Sequence, residues 1–550
     1  MTTQTFALGQ AAQVVNDALS DLEKNRAAER LWNKERALFT ADASHDDSVR
    51  TRLGWLRSAT LMQENVGRLQ AFAREVQQAG FKKALLLGMG GSSLCPEVLA
   101  TTFGTAPGAL DLRVLDSTDP EAVKTAEQWA DLDHTLFIVS SKSGSTIEVA
   151  SFLSYFWALT QQRYGAQAGS RFVAITDPGT LLAGIAAKDG YRTVFENPAD
   201  IGGRYSAVSY FGMVPAALLG IDLAALVGSA VQMTQNCAAA VPARDNPGLS
   251  LGAFIGALAK TGRDKLTLIA SPEFASLRSW IEQLVAESTG KLGKGVVPVD
   301  LEPVGVTQSG ADRAFVYVRY GAAAHPDLDA HVEKLIAQGH PVTTIDLDAR
   351  TDIGGEFVRW EMATAFASAV LGVNPFDEPD VSAAKKATAE FIAQFEQAGS
   401  LAFPSWVQAG DAQIPSTLRQ TKSGIDYVTL SAFFARTDER DQLLTQVRSL
   451  IATKLGCATT LGYGPRFLHS TGQLHKGGGN NGVFLLLRSS VAQDLPIPGQ
   501  RYSFGILRDA QALGDQKVLL ERKRRAVAVN LGENVVQALA LLLEGLKKSL

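Results

Sequence analysis

Thr135-Leu136-Phe137-Ile138-Val139-Ser140-Ser141-Lys142-Ser143-Gly144-Ser145-Thr146-Ile147-Glu148 changes character at its middle. An apolar, β-prone run opens into small hydroxyl residues, which lead into Val149-Ala150-Ser151-Phe152-Leu153-Ser154-Tyr155-Phe156. The pattern reads as strand, tight turn, helix. The first N–H groups of a helix are unpaired and its dipole favours an anion there, while four hydroxyls and the Lys142 ammonium stand ready to donate. The turn is therefore a candidate phosphate cradle, although the same Ser/Thr cluster also suits an ordinary helix N-cap.

A second loop of the same kind lies upstream. Gly88-Met89-Gly90-Gly91-Ser92-Ser93 follows the apolar run Lys83-Ala84-Leu85-Leu86-Leu87 and precedes Leu94-Cys95-Pro96-Glu97-Val98-Leu99. Glycines let the backbone come close to a ligand, and the serines add donors at a helix start. Two donor-rich turns at the same strand ends point to a phosphorylated small molecule in the crevice beyond the carboxyl edge of a parallel sheet.

Further strands are expected at 112–115, 171–176 and 191–195, so the stretch 81–245 alternates strand and helix as a parallel sheet covered by helices. A second such unit, 246–395, has strands at 265–270, 296–299, 314–319 and 342–346. Ahead of both, 1–80 reads as a helical arm; after them, 414–550 reads as a small α+β domain. The fold class is thus α/β, with two sandwich-type parallel-sheet domains facing one another across a crevice.

At 550 residues, 46% of them hydrophobic, the chain is long enough for two to four domains with sizeable cores. A net charge of −4 without clustered Lys and Arg argues against nucleic acid, and the one basic run, Glu521 to Arg525, reads as a solvated helix end. Cys95, Cys237 and Cys457 are odd in number and far apart, which speaks against disulfides and zinc sites and for a reducing compartment. With no secretory start and no apolar run of spanning length, a cytoplasmic location is expected.

Three more segments carry candidate chemistry. Gly202-Gly203-Arg204-Tyr205-Ser206 gives an arginine after flexible backbone, with room either to face the crevice or to cap a turn. Glu287 falls in the last turn of a helix ending at Gly290, where the dipole raises a carboxyl pKa and favours a general base; an exposed charge at a helix end is the alternative. Lys385 follows Asn374-Pro375-Phe376-Asp377-Glu378-Pro379 on the first turns of a helix, where the dipole disfavours it unless it faces an acid or a ligand. The glycine-rich stretch 461–480 is expected to be a long functional loop holding His469 and His475, which lack a third nearby metal ligand. Asp116 suggests the ribose-binding acid of a dinucleotide fold, yet Ser93 stands where the third glycine of that fingerprint belongs.

Taken in order, Gly-Met-Gly-Gly-Ser-Ser, Ser-Lys-Ser-Gly-Ser-Thr-Ile-Glu, Gly-Gly-Arg-Tyr-Ser, Gln283-Leu-Val-Ala-Glu287-Ser-Thr-Gly-Lys and Asn-Pro-Phe-Asp-Glu-Pro-Asp-Val with Lys385 beyond it resemble the motifs of glucose-6-phosphate isomerases, built from two sugar-isomerase (SIS) domains. The helical arm and the His469-to-Gly478 segment are most similar to the isomerase half of bacterial transaldolase fusions. The resemblance implies an aldose–ketose isomerase acting on glucose 6-phosphate and fructose 6-phosphate, with no metal or organic cofactor, a homodimer, and a functional link to a separate transaldolase. It implies that Gly91, Ser92 and Ser141, Lys142, Ser143, Gly144, Ser145 and Thr146 hold the phosphate. Glu148, Gly203 and Gln283 would line the sugar site. Glu287 would be the base, Arg204 would stabilise the enediolate, and Lys385 would assist at the ring oxygen. The family usually has glutamine at the place of Glu378, and its ring-opening histidine has no motif here, so His469 or His475 is expected to take that part. A sugar-phosphate sensor, an isomerase that also accepts mannose 6-phosphate, and a nicotinamide-dependent oxidoreductase are the competing readings. A sensor would have no need of Arg204, Glu287 and Lys385 together.

Overall fold

A computed structural model describes residues 2–303 and 310–550. The chain opens with strand β1 (Thr3–Ala7), and helices Ala12–Lys24, Ala27–Trp32 and Ser58–Gln78 follow. The first sheet contains β2 (Lys83–Gly88), β3 (Asp111–Leu115), β4 (Thr135–Ser140), β5 (Phe172–Thr176) and β6 (Thr193–Glu196). The second contains β7 (Lys265–Ala270), β8 (Val297–Val299), β9 (Arg313–Tyr320) and β10 (Val342–Leu347). A third contains β11 (Trp406–Gln408), β12 (Tyr427–Phe433), β13 (Ala458–Tyr463), β14 (Gly482–Arg488) and β15 (Arg525–Asn530).

The strand orders are β3-β2-β4-β5-β6, β8-β7-β9-β10-β1 and β13-β12-β14-β15-β11. Counted from the first crossover strand of each, all three sheets run 2-1-3-4. Every pairing is parallel except β1 on β10, where the arm caps the edge of the second sheet with Thr3 opposite Asp346. Parallel strands buried on both faces must be apolar throughout rather than alternating, and β4, β7, β12 and β14 are buried at every residue.

The α+β expectation for 414–550 is corrected by this arrangement. Helices Asp438–Leu455 and Phe504–Glu521 are crossovers between parallel strands, so the unit is α/β like the other two. Its order also uses β13, which the glycine-rich stretch concealed. The expected long loop at 461–480 is instead the end of β13, a short 3-10 turn Arg466–His469 and helix Gly472–Gly477.

At the centre of the molecule lies helix Ile353–Leu371, buried along almost its whole length. Helix Pro247–Lys260 packs on it through Gly248, Gly252 and Gly256. A Cβ on these glycines would stand 2.4 Å from Met362 Cβ, 2.6 Å from Phe366 Cβ and 2.7 Å from Val370 Cβ. The stripe of bare backbone lets the two helices approach and fixes the second sheet's covering layer. The arm leans on the first unit as well: Trp55 stacks on Tyr205 at 5.1 Å, and Gly54 N donates to Asp200 O at 2.7 Å. It thereby braces the turn that carries Arg204.

Candidate active site

Arg204 sits in the 3-10 turn Gly203–Tyr205, pressed onto the Gly90–Ser92 loop so closely that a Cβ on Gly91 would lie 2.0 Å from Gly203 O. Its side chain is 4% exposed. Nε donates to Ser288 Oγ at 2.9 Å, and Nη2 donates to Pro375 O and Asp377 O at 2.5 and 2.9 Å. Nη1 lies 3.1 Å from Glu287 Oε1 and 3.1 Å from Glu378 Oε2. The guanidinium is therefore fixed along all its edges.

Glu287 is in the last turn of helix Leu277–Thr289, buried, with Oε2 accepting from Gln283 Nε2 at 3.1 Å one turn back. Burial pushes its carboxyl above the ordinary range, Arg204 pulls it down, and the negative charge of Glu378 adds to the upward push. Gln283 Nε2 also donates to His469 O at 2.7 Å, while its Oε1 is a buried acceptor with no partner among the described residues.

The same contact carries the site across to the third unit. His469 Nε2 lies 2.8 Å from Glu148 Oε1, which also accepts from Gln511 Nε2 at 2.7 Å. Burial opposes the ionised form of Glu148, but His469, hydrogen bonds to the carboxylate and more distant Lys385 hold it below the usual carboxylate value. Ser143, Ser145, Thr146, Glu148, Lys385, His469 and Gln511 line one cavity of about 290 Å³ at the start of helix Ile147–Tyr164. Lys385 lines this cavity, and no carboxylate lies within ion-pair distance of it among the described residues.

Most of the expected site residues converge. Gly91, Ser92, Gly203, Arg204, Gln283 and Glu287 meet where the turns Gly90–Ser92 and Gly203–Tyr205 come against helix Leu277–Thr289, and Ser143, Ser145, Thr146, Glu148, Lys385 and His469 line the 290 Å³ cavity. Ser141 is buried at the base of the hydroxyl loop, with its Oγ 3.3 Å from Thr146 Oγ1. Two expectations change. Lys142 is not a free charge: it pairs with Asp177 at the end of the neighbouring strand and donates to Ala199 O at 3.0 Å, tying the loop down. His475 is not in the cleft: at 3% exposure its ring packs between Tyr427, Phe467 and Phe484. Glu378, at the place of the family's glutamine, pairs with Arg204, and Asp116 binds Arg466 Nε at 2.7 Å. Gln511 was missed, because its helix offers only an even polar pattern and its role depends on a contact across 363 residues.

Parallel sheets covered by helices, with a hydroxyl-rich helix start, a buried carboxylate and a fixed guanidinium beyond their strands, place the chain in the sugar-phosphate isomerase class. The sequence signature described as Phosphoglucose isomerase matches residues 63–315. A glucose-6-phosphate isomerase of Rubrobacter xylanophilus is 30% identical over 371 residues, which is 58% of this chain and 84% of that one. One from Synechococcus sp. (strain JA-3-3Ab) is 27% identical over 432 residues, 66% of this chain and 80% of that one. In structure, a glucose-6-phosphate isomerase of Chlamydia trachomatis superimposes with a TM-score of 0.55 at 19% identity, covering 74% of this chain and 90% of that one. The chain belongs to the phosphoglucose isomerase family.

Proposed function

We propose that this chain interconverts D-glucose 6-phosphate and D-fructose 6-phosphate by base-catalysed aldose–ketose isomerisation, the activity named in its relatives. The observation that carries the assignment of roles is the contact of Glu287 with a guanidinium that is itself immobile. A base pushed upward by burial removes the C2 proton of the opened aldose and returns it to C1, while the hydroxyl proton passes from O2 to O1 in the enediol(ate), which yields the ketose. Meanwhile the fixed positive charge of Arg204 faces the oxygen where negative charge develops, and such preorganised charge is worth most in a site that excludes water.

The phosphate belongs at the hydroxyl loop. Ser143, Ser145 and Thr146 present donors at the start of helix Ile147–Tyr164, where the helix field adds to them. Ring opening needs a proton delivered to the ring oxygen and one taken from O1. Lys385 and the His469–Glu148 pair stand at the same cavity and are assigned to these transfers. The unpartnered Oε1 of Gln283 is suited to a sugar hydroxyl.

Three buried free cysteines support a reducing, cytoplasmic location, and no helix of the described residues is long and apolar enough to cross a membrane. Homodimerisation, and work beside a separate transaldolase, are further parts of the proposal that rest on the family resemblance.

Isomerisation in deuterium oxide tests the mechanism. Proton transfer through a carboxylate predicts solvent deuterium at C1 of fructose 6-phosphate formed from glucose 6-phosphate, read by NMR. Complete retention of the C2 hydrogen in the product, at every extent of reaction, would point to hydride transfer instead.

A further inference from the structure

Arg204 is held by a grip that comes largely from one turn. Pro375 and Asp377 supply carbonyls to Nη2, and Glu378, the residue after Asp377, brings a carboxylate to Nη1. Glu287, from helix Leu277–Thr289 of the same unit, reaches the same nitrogen, also at 3.1 Å. One positive charge therefore serves two carboxylates. We propose, building on the isomerase reading, that Glu378 is a positioning residue that sets the base strength of Glu287 by sharing the Arg204 guanidinium with it.

A buried glutamate facing an arginine alone would be driven to the carboxylate form and would be a weak base. Glu378 counters this in two ways: it takes up part of the arginine's charge, and it turns a negative charge toward Glu287. The groups that face Glu287 are Arg204 from the first unit, Glu378 from the turn before helix Pro379–Ala398, Lys291 from the turn beyond its own helix, and Gln283 from within that helix. Lys291 is itself paired with Asp377 at 2.8 Å, which leaves Glu378 as the negative charge opposed to Glu287. Glu378 stays ionised, because against the upward push of burial Arg204 and then Arg52, whose Nη1 lies 3.8 Å away, hold it down. Two carboxylates on one cation are thus pushed in opposite directions, one toward carrying a proton and one away from it.

The arrangement also protects the arginine during turnover. When Glu287 takes the substrate proton it becomes neutral and its negative charge passes to the enediolate, so that without Glu378 the buried guanidinium would have no fixed counter-ion of the protein's own. With Glu378 in place Arg204 keeps a charged partner and its position, which is what stabilisation of an enediolate requires.

The test is the pH dependence of kcat/KM for glucose 6-phosphate in wild type and Glu378→Gln, with unfolding midpoints measured alongside. Removing the negative charge favours the ionised form of Glu287, so the acidic limb is expected to move to lower pH by about one unit. KM should change by less than about threefold and turnover above the limb by less than about tenfold. Glu378→Asp, which keeps the charge, should restore the limb toward its wild-type position. A lowered unfolding midpoint with an unmoved limb in the glutamine variant would reduce Glu378 to a structural brace and overturn the inference. Wild type without turnover would overturn the isomerase reading and this inference with it, whereas turnover with an unmoved limb overturns this inference alone.

Discussion

His469 and His475 lie on one short segment yet face different surroundings. The first keeps 16% of its side chain exposed beside Glu148; the second is sealed among three aromatic rings, where burial, then Lys476 and Arg524, hold it well below the ordinary histidine value. His469→Ala is expected to slow turnover of cyclic substrate with little change in unfolding midpoint. His475→Ala should do the reverse, costing about 2–5 kcal/mol by leaving a cavity, with kcat/KM within about threefold of wild type. Because His475 must be neutral to remain in place, its contribution is complete above the unfolded histidine pKa, about 6.5, and shrinks as pH falls below it. A His475→Leu variant should then lose less stability than wild type between pH 8 and pH 5, as followed by urea denaturation. If wild type and variant lose equal amounts, the buried ring is not the sensitive group. The sequence offered these two histidines as equals, since neither composition nor spacing shows which side of a turn faces a core. Glu287 and Arg204 were more legible, because a carboxylate at the wrong end of a helix and an arginine after paired glycines break local rules.

Between elements, the close approach of helix Pro247–Lys260 to helix Ile353–Leu371 depends on Gly252, whose added Cβ would meet Phe366 Cβ at 2.6 Å and Ala363 O at 2.7 Å. Gly252→Ala should destabilise by about 1–3 kcal/mol through overpacking, even though alanine is the better helix former. A denaturation midpoint at or above wild type would show that the helices have room to part. At this scale the sequence was most informative where strands are fully buried. Lys265–Ala270 is buried at every residue and has the bounds expected from the sequence. The sequence was least informative at β13, where Gly462 and Tyr463 merge into a glycine-rich stretch, and at β1, a short polar-alternating strand whose partner β10 is more than 300 residues away. Such pairing depends on tertiary context rather than local pattern. The basic run at 521–525 likewise reads as solvated, yet Arg524 is 9% exposed and donates to Lys476 O and Gly478 O.

Across the whole molecule, three sheets share one strand order, and an ion pair ties the first unit to the third. Arg508, 1% exposed, donates from Nη1 to Asp119 Oδ2 at 2.6 Å and from Nη2 to Asp509 Oδ1 at 2.7 Å and Ser489 O at 2.7 Å. Three residues along the same helix Gln511 reaches Glu148, so the third unit both docks on the first and completes its cleft. Arg508→Leu leaves buried Asp119 without its cation, while Asp509 keeps Arg488 at 3.1 Å, and should cost about 3–5 kcal/mol. It should also lower kcat, because the same helix positions Gln511 at Glu148. A variant with a wild-type unfolding midpoint would contradict the docking role.

The account rests most heavily on Glu287 as the base. Isomerisation of glucose 6-phosphate by purified wild type and Glu287→Gln, followed as fructose 6-phosphate formed with EDTA present and no cofactor added, tests it directly. The account predicts turnover in wild type and a loss of about 10²–10⁴-fold in the near-isosteric variant, with the unfolding midpoint little changed. Equal turnover by a correctly folded Glu287→Gln variant would contradict it.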